Sequence, residues 1–65
     1  MPWTAERFPP AMRHLAPTVQ AKAIEIANAL LREGYGDGQA IRMGIVAAKK
    51  WARAHARADG YEELR

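Results

Sequence analysis

Few side chains in this chain could do acid–base or ligand chemistry: His14, His55 and seven carboxylates, with no cysteine and no serine. Acyl transfer needs a nucleophile, a base and a group that orients the base, all in mutual reach, and the sequence offers no such trio. A zinc site needs at least a third ligand beside two histidines, and nothing marks one. His55 falls on an apolar helix face, where a histidine is more often a packed residue with one hydrogen bond than a ligand. A chain of 65 residues also has little room to enclose a substrate pocket of several hundred Å³. The sequence therefore predicts a protein that is not an enzyme, with no catalytic residue, no metal and no cofactor.

What remains is charge. Ten Lys+Arg against seven Asp+Glu give a net charge of +3, and its distribution says more than its sum. Arg42, Lys49, Lys50, Arg53 and Arg57 all lie between residues 38 and 58, a stretch without a single acidic residue. At about 100° per residue these five share an arc of roughly 100° on a helix, opposite the apolar side. Such a stripe attracts phosphates or acidic surfaces, and like charges at helical spacing cost some stability when unpaired. The plainer reading is a solvated outer face whose last cations favour the helix C-terminal dipole. As a binding face it fits an acidic protein surface first and nucleic acid second. Base readout wants Arg, Asn or Gln near the start of a recognition helix, which only Gln39 and Arg42 supply, and the stripe has no aromatic on which bases could stack.

The elements that must position this stripe are legible. Fourteen alanines and the absence of sustained apolar–polar alternation favour an all-α chain over a sheet. Residues 17–33 repeat apolar positions at Val19, Ala23, Ile26, Ala27, Leu30 and Leu31, the stripe of an amphipathic helix, with Glu25, Asn28 and Arg32 opposite. Pro17 suits the first helical position, and Thr18 is an alternative cap one residue later. Gly34 suits the left-handed residue after the helix, with Tyr35 following it in a Schellman ending.

Residues 34–37 form a turn. Its one carboxylate falls far short of a calcium loop, and its glycines lack the preceding strand and the Gly-Lys-Ser/Thr ending of a phosphate loop. Asp37 reads as the N-cap of a second helix over residues 38–58. Ile41, Gly44, Ile45, Ala48, Ala52 and His55 share one side of that helix, flanked by Ala40 and Trp51 and continued by Met43, Ala47 and Ala54. Gly44 stands mid-face, where a missing side chain permits close approach by another backbone, since glycine otherwise costs about 1 kcal/mol in a helix interior.

Residues 1–16 form an arm. Thr4 is a helix N-cap with Trp3 and Phe8 in hydrophobic-staple positions, Pro9 ends that turn, and Pro9 or Pro10 starts another short helical piece carrying Met12 and Leu15. The expected architecture is a single all-α domain over residues 1–58: an αα-hairpin of two long antiparallel helices, closed by an N-terminal aromatic and proline arm with short helical turns. Residues 59–65 are a tail or a frayed helix end.

No apolar stretch approaches the roughly 20 residues of a membrane span, and no signal peptide opens the chain, so a cytoplasmic monomer or homodimer is expected. Excess apolar surface near Met43, Ala47 and Trp51 is where a homodimer would form.

The opening MPW, then RFPPAMRHL, AKAIEIANALLREGYGDGQAI and AKKWA resemble a family of small uncharacterised bacterial and phage proteins. The order of elements over residues 1–53, ending on Lys49, Lys50 and Trp51, is more distantly similar to the ChaB-type proteins, described as putative cation transport regulators. That resemblance implies a compact helical fold, no demonstrated catalytic residue, and a regulatory role without a stated mechanism.

Overall fold

The computed structural model describes residues 3–58, with side chains through residue 55. The element order is a 3-10 turn at Pro10–Met12, helix α1 at Pro17–Arg32 and helix α2 at Asp37–Ala58. The two helices pack along one another as a hairpin. This is the all-α architecture that the alanine content and helical periodicity predict. The tail expected at residues 59–65 lies outside the described residues.

The helix ends follow from backbone chemistry. Ala16, in extended conformation, precedes Pro17 at the first helical position, where the missing N–H is no loss. Thr18 is therefore inside the first turn, which settles the choice between the two starts. At the other end Glu33 caps the helix and Gly34 takes φ 103°, a conformation open to glycine without a Cβ clash. The N–H of Tyr35 donates to the Leu30 carbonyl at 3.1 Å and that of Gly34 to Leu31 at 3.0 Å. These two bonds are the Schellman pattern expected from the sequence. Asp37 does not precede α2 as its cap; it is already in the first turn, and the Gly36 carbonyl accepts from the Ala40 N–H at 2.8 Å. Its carboxylate still opposes the positive end of the helix dipole.

The core is small and built mostly from small residues. Ala23, Ile24 and Ala27 of α1 are buried with Ala40 and Ala48 of α2, and Met12 of the arm is fully covered. Gly44 is buried among them. A Cβ built on it would stand 3.0 Å from the Ala23 carbonyl oxygen and 3.2 Å from both the nitrogen and the Cβ of Ala27. The close backbone approach expected at Gly44 is thus what the helices make. Trp3, Phe8, Leu15, Val19, Ile26, Leu30, Leu31, Ile41 and Ile45 pack half-buried around this centre.

The arm departs from expectation in two respects. Residues 5–7 bend without forming a helix. Thr4 closes that bend instead: its Oγ1 accepts from the N–H of Glu6 at 3.3 Å and of Arg7 at 3.1 Å, while the Thr4 and Arg7 backbones exchange N–H···O bonds at 2.8 and 3.1 Å. Pro9, following so soon, leaves no room for a second turn.

The arm is also held by two polar residues of α1, one of which, Asn28, the periodicity places opposite the apolar stripe. Asn28 is half-buried, not turned away; its Nδ2 donates to the Trp3 carbonyl and its Oδ1 accepts from the Trp3 N–H, both at 2.9 Å. Gln20 donates from Nε2 to the Met12 carbonyl at 3.0 Å. Gln20, Ile24 and Asn28 are spaced four apart and so form one row on α1, and the arm runs along it in the opposite direction, from Asn28 towards Gln20. Helix α1 is accordingly covered on two sides, by α2 and by the arm.

Candidate functional site

Burying Ala40, Gly44 and Ala48 against α1 turns the opposite side of α2 to solvent. Arg42, Lys49, Lys50 and Arg53 are all exposed there, on the side where the helical wheel places them. Arg57 belongs to the same helix, but its side chain lies outside the described residues. Among the described residues the ion pair present is between Lys22 and Glu25 of α1, at 3.3 Å, so no carboxylate pairs with any of the four cations. Lys49 and Arg53 are four residues apart and repel across one helical turn.

The face is not uniformly charged. Val46 is 55% exposed and Met43 39%. With Ala47, Arg42 and Lys50 they line an open depression of about 340 Å³. Val46 escaped the sequence reading because its azimuth falls inside the basic arc rather than beside the apolar stripe. Counting it as an apolar residue among cations would have found it.

The other residues singled out in sequence behave differently. His55 is exposed rather than packed in the core; its Nδ1 lies 3.0 Å from the Trp51 carbonyl and its ring lies over Trp51 with centroids 4.5 Å apart. Lys22 approaches the same indole from α1, with Nζ 5.1 Å from the ring centroid, a cation–π contact between the helices. Trp51 is half-buried by these neighbours and stands outside the depression, so the apolar surface expected at Met43, Ala47 and Trp51 is centred instead on Met43, Val46 and Ala47. His14 is exposed in the arm. Among the described residues no group of three His, Cys, Asp or Glu stands close enough to hold a metal ion, and no helix is long and apolar enough to cross a membrane.

No family model matches the chain, and no solved structure matches it. It is similar to the uncharacterised protein YdaT of Bacillus subtilis (strain 168), with 44% identity over 52 residues, which is 80% of this chain and 35% of that protein. The chain thus spans about a third of the length of the curated relative it matches.

Proposed function

We propose that this chain is a non-enzymatic accessory or regulatory protein that binds an acidic protein surface through the outer face of α2. One observation carries the reading: Arg42, Lys49, Lys50 and Arg53 stand exposed on a single helix face with no carboxylate paired to them among the described residues. Arg57, one turn beyond Arg53, extends the same arc in sequence. Aligned cations that repel one another at helical spacing gain when an acidic surface arrives, because the partner relieves the repulsion as well as supplying attraction.

Charge reversal tests it. The triple variant Arg42→Glu, Arg53→Glu and Arg57→Glu is expected to keep its helix content by circular dichroism and to lose association with acidic protein partners in titration. Unchanged association in that variant would sink the reading.

The same stripe supports a second reading, sequence-nonspecific binding of nucleic acid. It predicts duplex affinity that falls steeply between about 50 and 200 mM salt. Absence of duplex binding at the lower salt removes it. The exposed Val46 and Met43 favour the protein partner, because apolar surface contributes nothing to a phosphate contact.

A further inference from the structure

The outer face of α2 joins two kinds of surface that are usually kept apart. Val46, the most exposed large apolar side chain among the described residues, has Arg42 four residues before it and Lys49, Lys50 and Arg53 three, four and seven residues after it. Those spacings make Arg42, Lys49 and Lys50 its neighbours on the helix surface, with Arg53 on the same side two turns further on. Between them lies the depression of about 340 Å³ walled by Met43, Val46, Ala47 and the side chains of Arg42 and Lys50. Aliphatic stems of Arg and Lys can wall an apolar seat while their charged heads stay in water.

We infer that this surface seats one face of an acidic amphipathic helix. An aliphatic side chain of the partner enters the depression against Met43 and Val46, and glutamates or aspartates flanking it on the same helix meet Arg42, Lys49, Lys50 and Arg53. This deepens the protein-binding reading above and rests on it. Charge complementarity selects the occupant. A second copy of the chain would bring the same cations face to face, with no carboxylate on that side of α2 among the described residues. A lipid surface is met by side chains that protrude, typically Trp, Phe or Leu, whereas this face offers a concavity and no aromatic. A hollow lined by a flexible methionine suits an entering leucine or isoleucine, and anchors spaced three or four residues apart are how an amphipathic helix presents such side chains.

The experiment is a fluorescence-anisotropy titration of the full chain with two labelled helical peptides of equal negative charge. One carries two leucines four residues apart, flanked by glutamates; in the other both leucines are alanine. Phosphatidylserine vesicles and duplex DNA are run beside them. The leucine peptide is expected to bind about tenfold more tightly than its alanine counterpart, a difference of about 1.4 kcal/mol. Val46→Ser should erase that preference and leave the weaker, salt-sensitive binding of both. The double variant Arg42→Glu and Lys50→Glu should abolish both. Val46 is exposed, so its substitution leaves the fold intact, which circular dichroism checks. Equal affinity for the two peptides overturns the apolar seat and leaves the basic-face reading standing. Failure of both peptides to bind overturns both. Binding of vesicles or duplex alone assigns the face to that class, and a Val46-dependent doubling of mass in sedimentation assigns it to self-association; either result overturns the proposal.

Discussion

Asn28 grips the backbone of Trp3 with both ends of its amide, donating to the carbonyl and accepting from the N–H at 2.9 Å each. The pairing copies what a neighbouring strand would offer to one residue of an extended segment. It satisfies two backbone groups at a place where burial by the arm limits access of water. Removing it with Asn28→Ala leaves both groups partly buried and unpaired, a loss of about 1–2 kcal/mol. Urea denaturation should show that loss, and amide exchange at Trp3 should quicken more than exchange in α2. An unchanged midpoint together with unchanged Trp3 exchange means that the arm is held by its apolar side chains alone.

A methyl group at Gly44 gains helix propensity and loses packing. The propensity gain is about 1 kcal/mol, but the added Cβ would meet the backbone of Ala23 and Ala27 at 3.0–3.2 Å, so a whole helix has to give way. Gly44→Ala is expected to be net destabilising by about 1 kcal/mol, and Gly44→Val to exceed 2 kcal/mol, in the range found for overpacked cores. Thermal melts decide it: a Gly44→Ala melt above that of the parent chain refutes the contact.

How much of this could be read beforehand depended on whether neighbours in the chain or across it did the work. The Schellman ending at Gly34, the start at Pro17 and the notch at Gly44 are written in residue types whose backbone consequences are local. The α2 face was legible because one period places Ala40, Gly44 and Ala48 opposite Arg42, Lys49 and Arg53. Asn28 reads as solvated because a polar residue on a helix looks so until a third element lies across it, and nothing local announces that the arm will. Ile24 is buried yet lies outside the stripe of Val19, Ala23, Ile26, Ala27, Leu30 and Leu31, on the row of Gln20 and Asn28 that bonds the arm. Thr4 kept its capping bonds but not its helix, since Pro9 acts on the whole segment. Val46 was hidden by the charges around it.

Among the described residues Met12 is the large side chain with no exposed surface, and it comes from the arm. Truncating it removes apolar contact at the centre of a core otherwise made largely of alanine. Met12→Ala should lose about 2–5 kcal/mol, much or all of the stability expected for a domain this small. The cooperative thermal transition is expected to fall by well over 10 °C or vanish, at about 4–8 °C per kcal/mol. A shift of a degree or two would mean that the arm contributes little to the fold.

Binding and stability pull in opposite directions on α2. Lys49→Glu places a carboxylate four residues before Arg53, the better order for a helical ion pair, in place of a like-charge repulsion. The variant is expected to gain about 0.5 kcal/mol in denaturation while binding the acidic leucine peptide several-fold more weakly. A variant that loses on both counts, or gains on both, contradicts a surface kept basic for its partner at some expense to the helix.

The Gly44 notch has a directional consequence as well as an energetic one. A helix seated by a groove one residue wide cannot roll on its neighbour without driving a side chain into a backbone, so its azimuth is locked. Two positions further on, about 200° around the axis, Val46 must look straight away from α1. The same missing methyl that lets the helices touch therefore aims the outward hollow, and widening the notch would turn the compass of the entire positive face.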